Sequence, residues 1–130
     1  MAQMKSKGWI YYQGNGVRQD YAKALAIFQQ DAGKGDVDSM AIIGAMYHDG
    51  EGVEIDYSKA LQWFTCAAEK GHVPSMAMLG VMYQFGRGTK MNYDLTKFWY
   101  TKAAAAGVRS AREWLEMDAV IDFRRIMSSQ

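Results

Sequence analysis

Apolar side chains recur along this chain at helical spacing, in blocks closed by glycines. Met40, Ile43, Gly44 and Tyr47 share one helical stripe, and Tyr57, Ala60, Leu61, Phe64 and Ala68 share the next. Between the two stand Gly50 and Gly52, where glycine readily takes the positive φ that ends a helix. Asp56 offers a short oxygen side chain to cap the second helix, and Gly71 offers a stop. The pattern is an αα-hairpin with one apolar side, and it is written three times. Gly8, Gly44 and Gly80 stand 36 residues apart, as do Tyr11, Tyr47 and Tyr83, and Gly35, Gly71 and Gly107. Asp20, Asp56 and Asn92 keep the cap at the same interval. A fixed period of roughly 20–50 residues marks a solenoid, whose units bury their apolar faces only against neighbours.

The stripes predict helices over 2–13, 21–34, 37–49, 57–70, 74–85 and 93–106, and no β-sheet. Tyr11 is expected to point inward from the first, and Tyr21, Ala24, Leu25 and Phe28 from the second. Pro74 suits a first helical turn, where its missing N–H has no partner to lose. A mid-helix glycine costs up to about 1 kcal/mol against alanine, so the repeated Gly8, Gly44 and Gly80 imply a close approach. A seventh helix, 109–127, carries many more charges than the repeats. It is expected to cap the array, burying Trp114, Leu115 and Ile121 and turning a polar face to water. Leu95 and Phe98 take outward positions held one period earlier by Lys59 and Gln62. The capping helix is the expected cover for this apolar pair, with self-association through it as the less favoured alternative.

The run Met40-Ala41-x-x-Gly44-x-x-Tyr47-x-x-Gly50-x-Gly52-Val53-x-x-Asp56-Tyr57-x-Lys59-Ala60-x-x-Trp63-Phe64-x-x-Ala67-Ala68-x-x-Gly71 resembles a Sel1-like repeat. The resemblance covers about Gly8 to Ala111. Lys7, Thr89 and the Thr96-Lys97 pair depart from the family pattern, and Glu116 falls where a fourth glycine would stand. The resemblance implies an all-α, right-handed αα-hairpin superhelix related to the tetratricopeptide fold. In this chain that is one domain, with repeats over 1–35, 37–71 and 73–107 and a capping helix over 108–127. It also implies that the first helix of each hairpin lines a concave surface. Transferring that phase gives Trp9 and Tyr12, then Asp38, Ala45, His48 and Asp49, then Val81, Gln84 and Phe85 as partner-binding residues. Lys5, Gln13, Ala41, Pro74 and Ala77 fall on the same faces. These positions keep a constant helical angle from the inward stripe. Trp9, Tyr12 and Phe85 are large aromatics of the kind that anchor interfaces.

Composition narrows the picture. A net charge of +1 gives no footing for nucleic acid or a strongly acidic partner. No run approaches the roughly 18 apolar residues of a membrane-spanning helix. The opening MAQMKSKGWI lacks the apolar centre of a secretion signal, and one cysteine cannot form an internal disulfide. The cytoplasm is therefore the expected location, with the periplasm as the alternative if a leader has been removed.

The candidate chemistry is thin. His48, Asp49, Glu51 and His72 lack the recognisable spacing of a zinc site and are expected to be solvated turn residues. The three Gly-x-Gly turns follow no strand, so a nucleotide fingerprint lacks its context. Ser39 and Ser75 sit near helix starts with no histidine at a matching period, which is poor ground for a nucleophile. Cys66 aligns with Gln30 and Lys102 and is expected to be an accessible, unreactive thiol. No catalytic, cofactor-binding or metal-binding residue is assigned. The sequence thus favours a non-catalytic module that holds a protein or peptide in its concave groove. The resemblance adds a narrower role, an immunity or adaptor protein for a secreted bacterial effector. A β-lactam-binding or -hydrolysing enzyme, known among disulfide-rich members of the resembled family, is the alternative.

Overall fold

A computed structural model describes residues 6–129, and all the regular structure among them is helical. Three hairpins follow one another: α1 (Lys7–Gln13) with α2 (Tyr21–Gly33), α3 (Val37–Asp49) with α4 (Tyr57–Glu69), and α5 (Val73–Phe85) with α6 (Tyr93–Ala105). A long helix, α7 (Arg109–Ser128), closes the series. Extensive packing runs between helices consecutive in the chain, α1 on α2 through α6 on α7. This is the nearest-neighbour order of a solenoid.

The local signals read from the sequence act as expected. Asp20, Asp56 and Asn92 cap α2, α4 and α6 by accepting from the backbone N–H of Lys23, Lys59 and Leu95. Gly14, Gly50 and Gly86 end the first helix of each hairpin in the left-handed conformation. The glycine in the middle of that helix has a clear purpose. A Cβ on Gly8, Gly44 or Gly80 would lie within 2.5–3.0 Å of the ring of Phe28, Phe64 or Tyr100 respectively. Each hairpin is therefore closed by one aromatic ring seated on a bare patch of backbone.

Three expectations change. The first helix begins at Lys7, because Ser6 accepts from the Gly8 N–H and caps it; residues 2–5 of the expected helix lie outside the described residues. The capping helix does not fold over Phe98, which stays 48% exposed against its own neighbours Trp99 and Lys102. Instead α7 seats Ala111, Trp114 and Leu115 on Tyr100 and Ala103, on another face of α6. Finally, Ile121 is not buried but 48% exposed. The Tyr93 hydroxyl at the start of α6 donates to Asp118, so beyond that turn α7 has outrun the helix it packs on.

The alkaline behaviour of three tyrosines follows from this packing. Burial, and then the hydrogen bond to Glu51, raises Tyr12 above the ordinary phenol range. The hydrogen bond to Asp118 pushes Tyr93 up to about 12, and burial raises Tyr100. In the folded chain these hydroxyls keep their protons at a pH where unfolded tyrosine, with a pKa of about 10, gives them up. Their contribution to stability is complete below about pH 10 and is lost as the pH climbs through the folded values. Phenolate absorbance should show a late-ionising group among the eight tyrosines. Urea unfolding should show stability falling above about pH 10.

Candidate functional site

A groove of about 880 Å³ lies on the side formed by α1, α3 and α5. Its apolar lining includes Trp9, Ala41, Ile42, Ala45, Phe64, Pro74, Met78 and Val81, and its polar lining includes Asp36, Asp38, Asp49 and Arg87 with the imidazoles of His48 and His72. Trp9 stands edge-on to Phe28 at 5.7 Å, so its ring is held by the hairpin core while it borders the groove.

Two polar links cross from one hairpin to the next by the same rule. The residue between the turn glycines reaches back 39 positions to the last turn of the preceding hairpin's first helix. Glu51 accepts from the Tyr12 hydroxyl at 2.8 and 2.9 Å, and Arg87 contacts His48 Nε2 at 3.1 Å. A guanidinium can only donate, so His48 Nε2 accepts and its Nδ1–H donates to Asp49 at 2.8 Å. His48 is therefore a fixed groove residue, 15% exposed at its side chain, and not the solvated turn residue expected from sequence.

A serine, a histidine and an aspartate also converge here. Ser75 Oγ donates to His72 Nδ1 at 2.7 Å, and His72 Nε2 lies 3.5 Å from Asp38 Oδ1. The geometry is that of a helix cap. His72 Nδ1 accepts from the Ser75 backbone N–H, and one period earlier Asp36 accepts from both the backbone N–H and hydroxyl of Ser39. Both serines are only 1% exposed, and their hydroxyls are engaged in these caps. The sequence reading missed this histidine because it sought a partner at the repeat period rather than three residues upstream. Among the described residues no three His, Cys, Asp or Glu side chains gather as a metal site, and Cys66 is exposed.

Of the nine residues assigned from sequence, Trp9, Asp38, Ala45, His48, Asp49 and Val81 line the groove. Tyr12, Gln84 and Phe85 do not. Tyr12 packs on Tyr21 and Phe28 and is tied to Glu51. Gln84 accepts from the Tyr100 hydroxyl at 2.9 Å, inside a smaller cavity of about 390 Å³ beside Trp114. Phe85 is 60% exposed outside the groove, with the Arg87 guanidinium 5.6 Å from its ring centre. The equivalent positions one period apart, His48 and Asp49, do line the groove, so helical phase alone does not separate the two sets. Lys5 lies outside the described residues. Asp36, His72 and Arg87 were missed because they come from caps and turns, which the helical phase does not cover.

The family model of the Sel1 repeat matches residues 8–36, 37–72 and 73–108, one match on each hairpin. The chain belongs to the Sel1 repeat family. Sel1 repeats generally mediate protein–protein interaction. A protective antigen present in uropathogenic Escherichia coli strains, which displays this repeat fold, is 36% identical with a TM-score of 0.81 over 84% of this chain. A Sel1 repeat protein from Oxalobacter formigenes is 35% identical with a TM-score of 0.75 over 81%. The Helicobacter pylori cysteine rich protein B shares the fold at 21% identity and a TM-score of 0.68, over 73% of this chain and 72% of its own. This Sel1 chain spans 23% of the first of these proteins and 43% of the second. No curated protein matches it.

Proposed function

We propose that the groove formed by α1, α3 and α5 holds a segment of another protein, and that the segment carries basic and apolar side chains together. The lining itself carries this reading: an apolar floor from Ala41 to Val81 beside three carboxylates, Asp36, Asp38 and Asp49. Three carboxylates against the single guanidinium of Arg87 leave the groove wall net negative. Apolar contact supplies affinity, and charge complementarity supplies selectivity and encounter rate. The narrower role that the family resemblance suggests, an immunity or adaptor protein for a secreted effector, would use the same surface.

The test is selection of displayed random peptides on the immobilised protein, followed by titration of the best binder. Enriched peptides should pair lysine or arginine with apolar residues. Trp9→Ala should cost about 2 kcal/mol, roughly 30-fold in Kd. Asp38→Lys should weaken binding most at low salt, and Ala45→Arg should block the groove while leaving the helical circular dichroism unchanged. Peptides with no basic bias, or binding indifferent to Ala45→Arg, would overturn the assignment.

A further inference from the structure

The outer half of α7 is apolar on the wrong side for a capping helix. Its inward phase runs Ala111, Trp114, Leu115 and then Asp118 and Asp122, so the face toward α6 becomes acidic. The opposite face carries Met117, Val120, Phe123 and Met127, all exposed, with Phe123 at 64%. A fourth hairpin is no cover for it. One period on, the positions of Gly80 and buried Met82 are taken by Glu116 and Asp118, where a closing helix would need bare backbone and an apolar side chain. An anionic membrane is also a poor fit, since α7 carries Arg109, Arg112, Arg124 and Arg125 against Glu113, Glu116, Asp118 and Asp122.

We infer that this face pairs with the same face of a second copy, the two α7 helices lying antiparallel about a two-fold axis beside Val120. The sequence is self-complementary about that residue. Met117 and Phe123 stand three positions either side of it, and Glu116 and Arg124 four. In an antiparallel pair, Met117 of each copy meets Phe123 of the other, a favourable sulfur–aromatic contact. Glu116 of each copy meets Arg124 of the other. Neither Glu116 nor Arg124 has an ion-pair partner within the chain among the described residues, whereas Arg109 pairs with Glu113 and Arg125 with Asp122. A parallel pair would set Glu116 on Glu116 and Arg124 on Arg124. The contact is isologous, so it closes at two copies and leaves both grooves open.

The proposal does not depend on the groove reading and is tested separately, by light scattering of the full chain over a wide concentration range. The mass should rise with concentration toward twice 14.6 kDa. Val120→Glu should hold it at the single-chain mass with helical circular dichroism unchanged. Glu116→Arg and Arg124→Glu should each weaken the dimer at least tenfold on their own. An equal mixture of those two variants should recover it, because every contact across the axis then joins opposite charges. A single-chain mass throughout, a dimer that survives Val120→Glu, or a mixture that stays dissociated would overturn the inference.

Discussion

Gly88→Ala should destabilise the chain by about 2–5 kcal/mol, while the same change at Gly16 should cost only about 1–2 kcal/mol. Both glycines hold the second place in a Gly-x-Gly turn, and both have φ near +75°. An alanine at either pays the left-handed penalty of an L residue. The difference lies in what stands opposite. A Cβ on Gly88 would lie 2.5 Å from the Tyr57 carbonyl carbon and 2.8 Å from the Ser58 nitrogen, and backbone of α4 cannot swing aside as a side chain can. Gly16 has nothing within 4 Å, because no hairpin precedes it among the described residues. Gly52, against the start of α2, should behave like Gly88. Urea unfolding of the three alanine variants gives the comparison directly. Equal losses at all three would show that backbone conformation alone governs these turns and that the hairpins are not locked through them.

Phe64→Ala should cost about 3–5 kcal/mol, the usual penalty for truncating a buried phenylalanine. The ring is 4% exposed, fills the space over Gly44, and forms part of the groove floor. Its loss therefore opens a void in the middle hairpin and deforms the proposed binding surface as well. Leu61→Ala, at a half-buried position on the same helix, should cost less. A loss below about 1 kcal/mol for Phe64→Ala would mean that α3 and α4 close together over the vacancy.

The fold was legible because it is made of local signals repeated at one interval. Glycine conformation, aspartate and asparagine caps and apolar phase all act within a few residues, and three copies of each agree. The site was only partly legible. Helical phase found Ala45 and Val81, which project from the groove face of their own helices. It did not separate Tyr12 and Gln84 from that face, because their partners, Glu51 and Tyr100, come from other elements. Arg87 and His72 escaped for a related reason. Their place in the groove follows from packing between hairpins, which a periodicity measured within hairpins does not contain. The tail misled most. Its charges suggested a solvated outer face, yet Asp118 and Asp122 are the residues turned toward α6.

Because extensive packing links only helices consecutive in the chain, α1, α3 and α5 face the groove without extensive contact with one another. On that side the hairpins are linked by the polar contacts His48 to Arg87 and Asp38 to His72, with Tyr12 to Glu51 at its flank. The array is therefore stiff along its packed side and compliant along its open one, like a bow strung with light cord. Small changes of angle at each hairpin add along the chain, so curvature and groove width are one mechanical variable. An occupant wider than the resting groove would straighten the whole array, and one narrower would bend it.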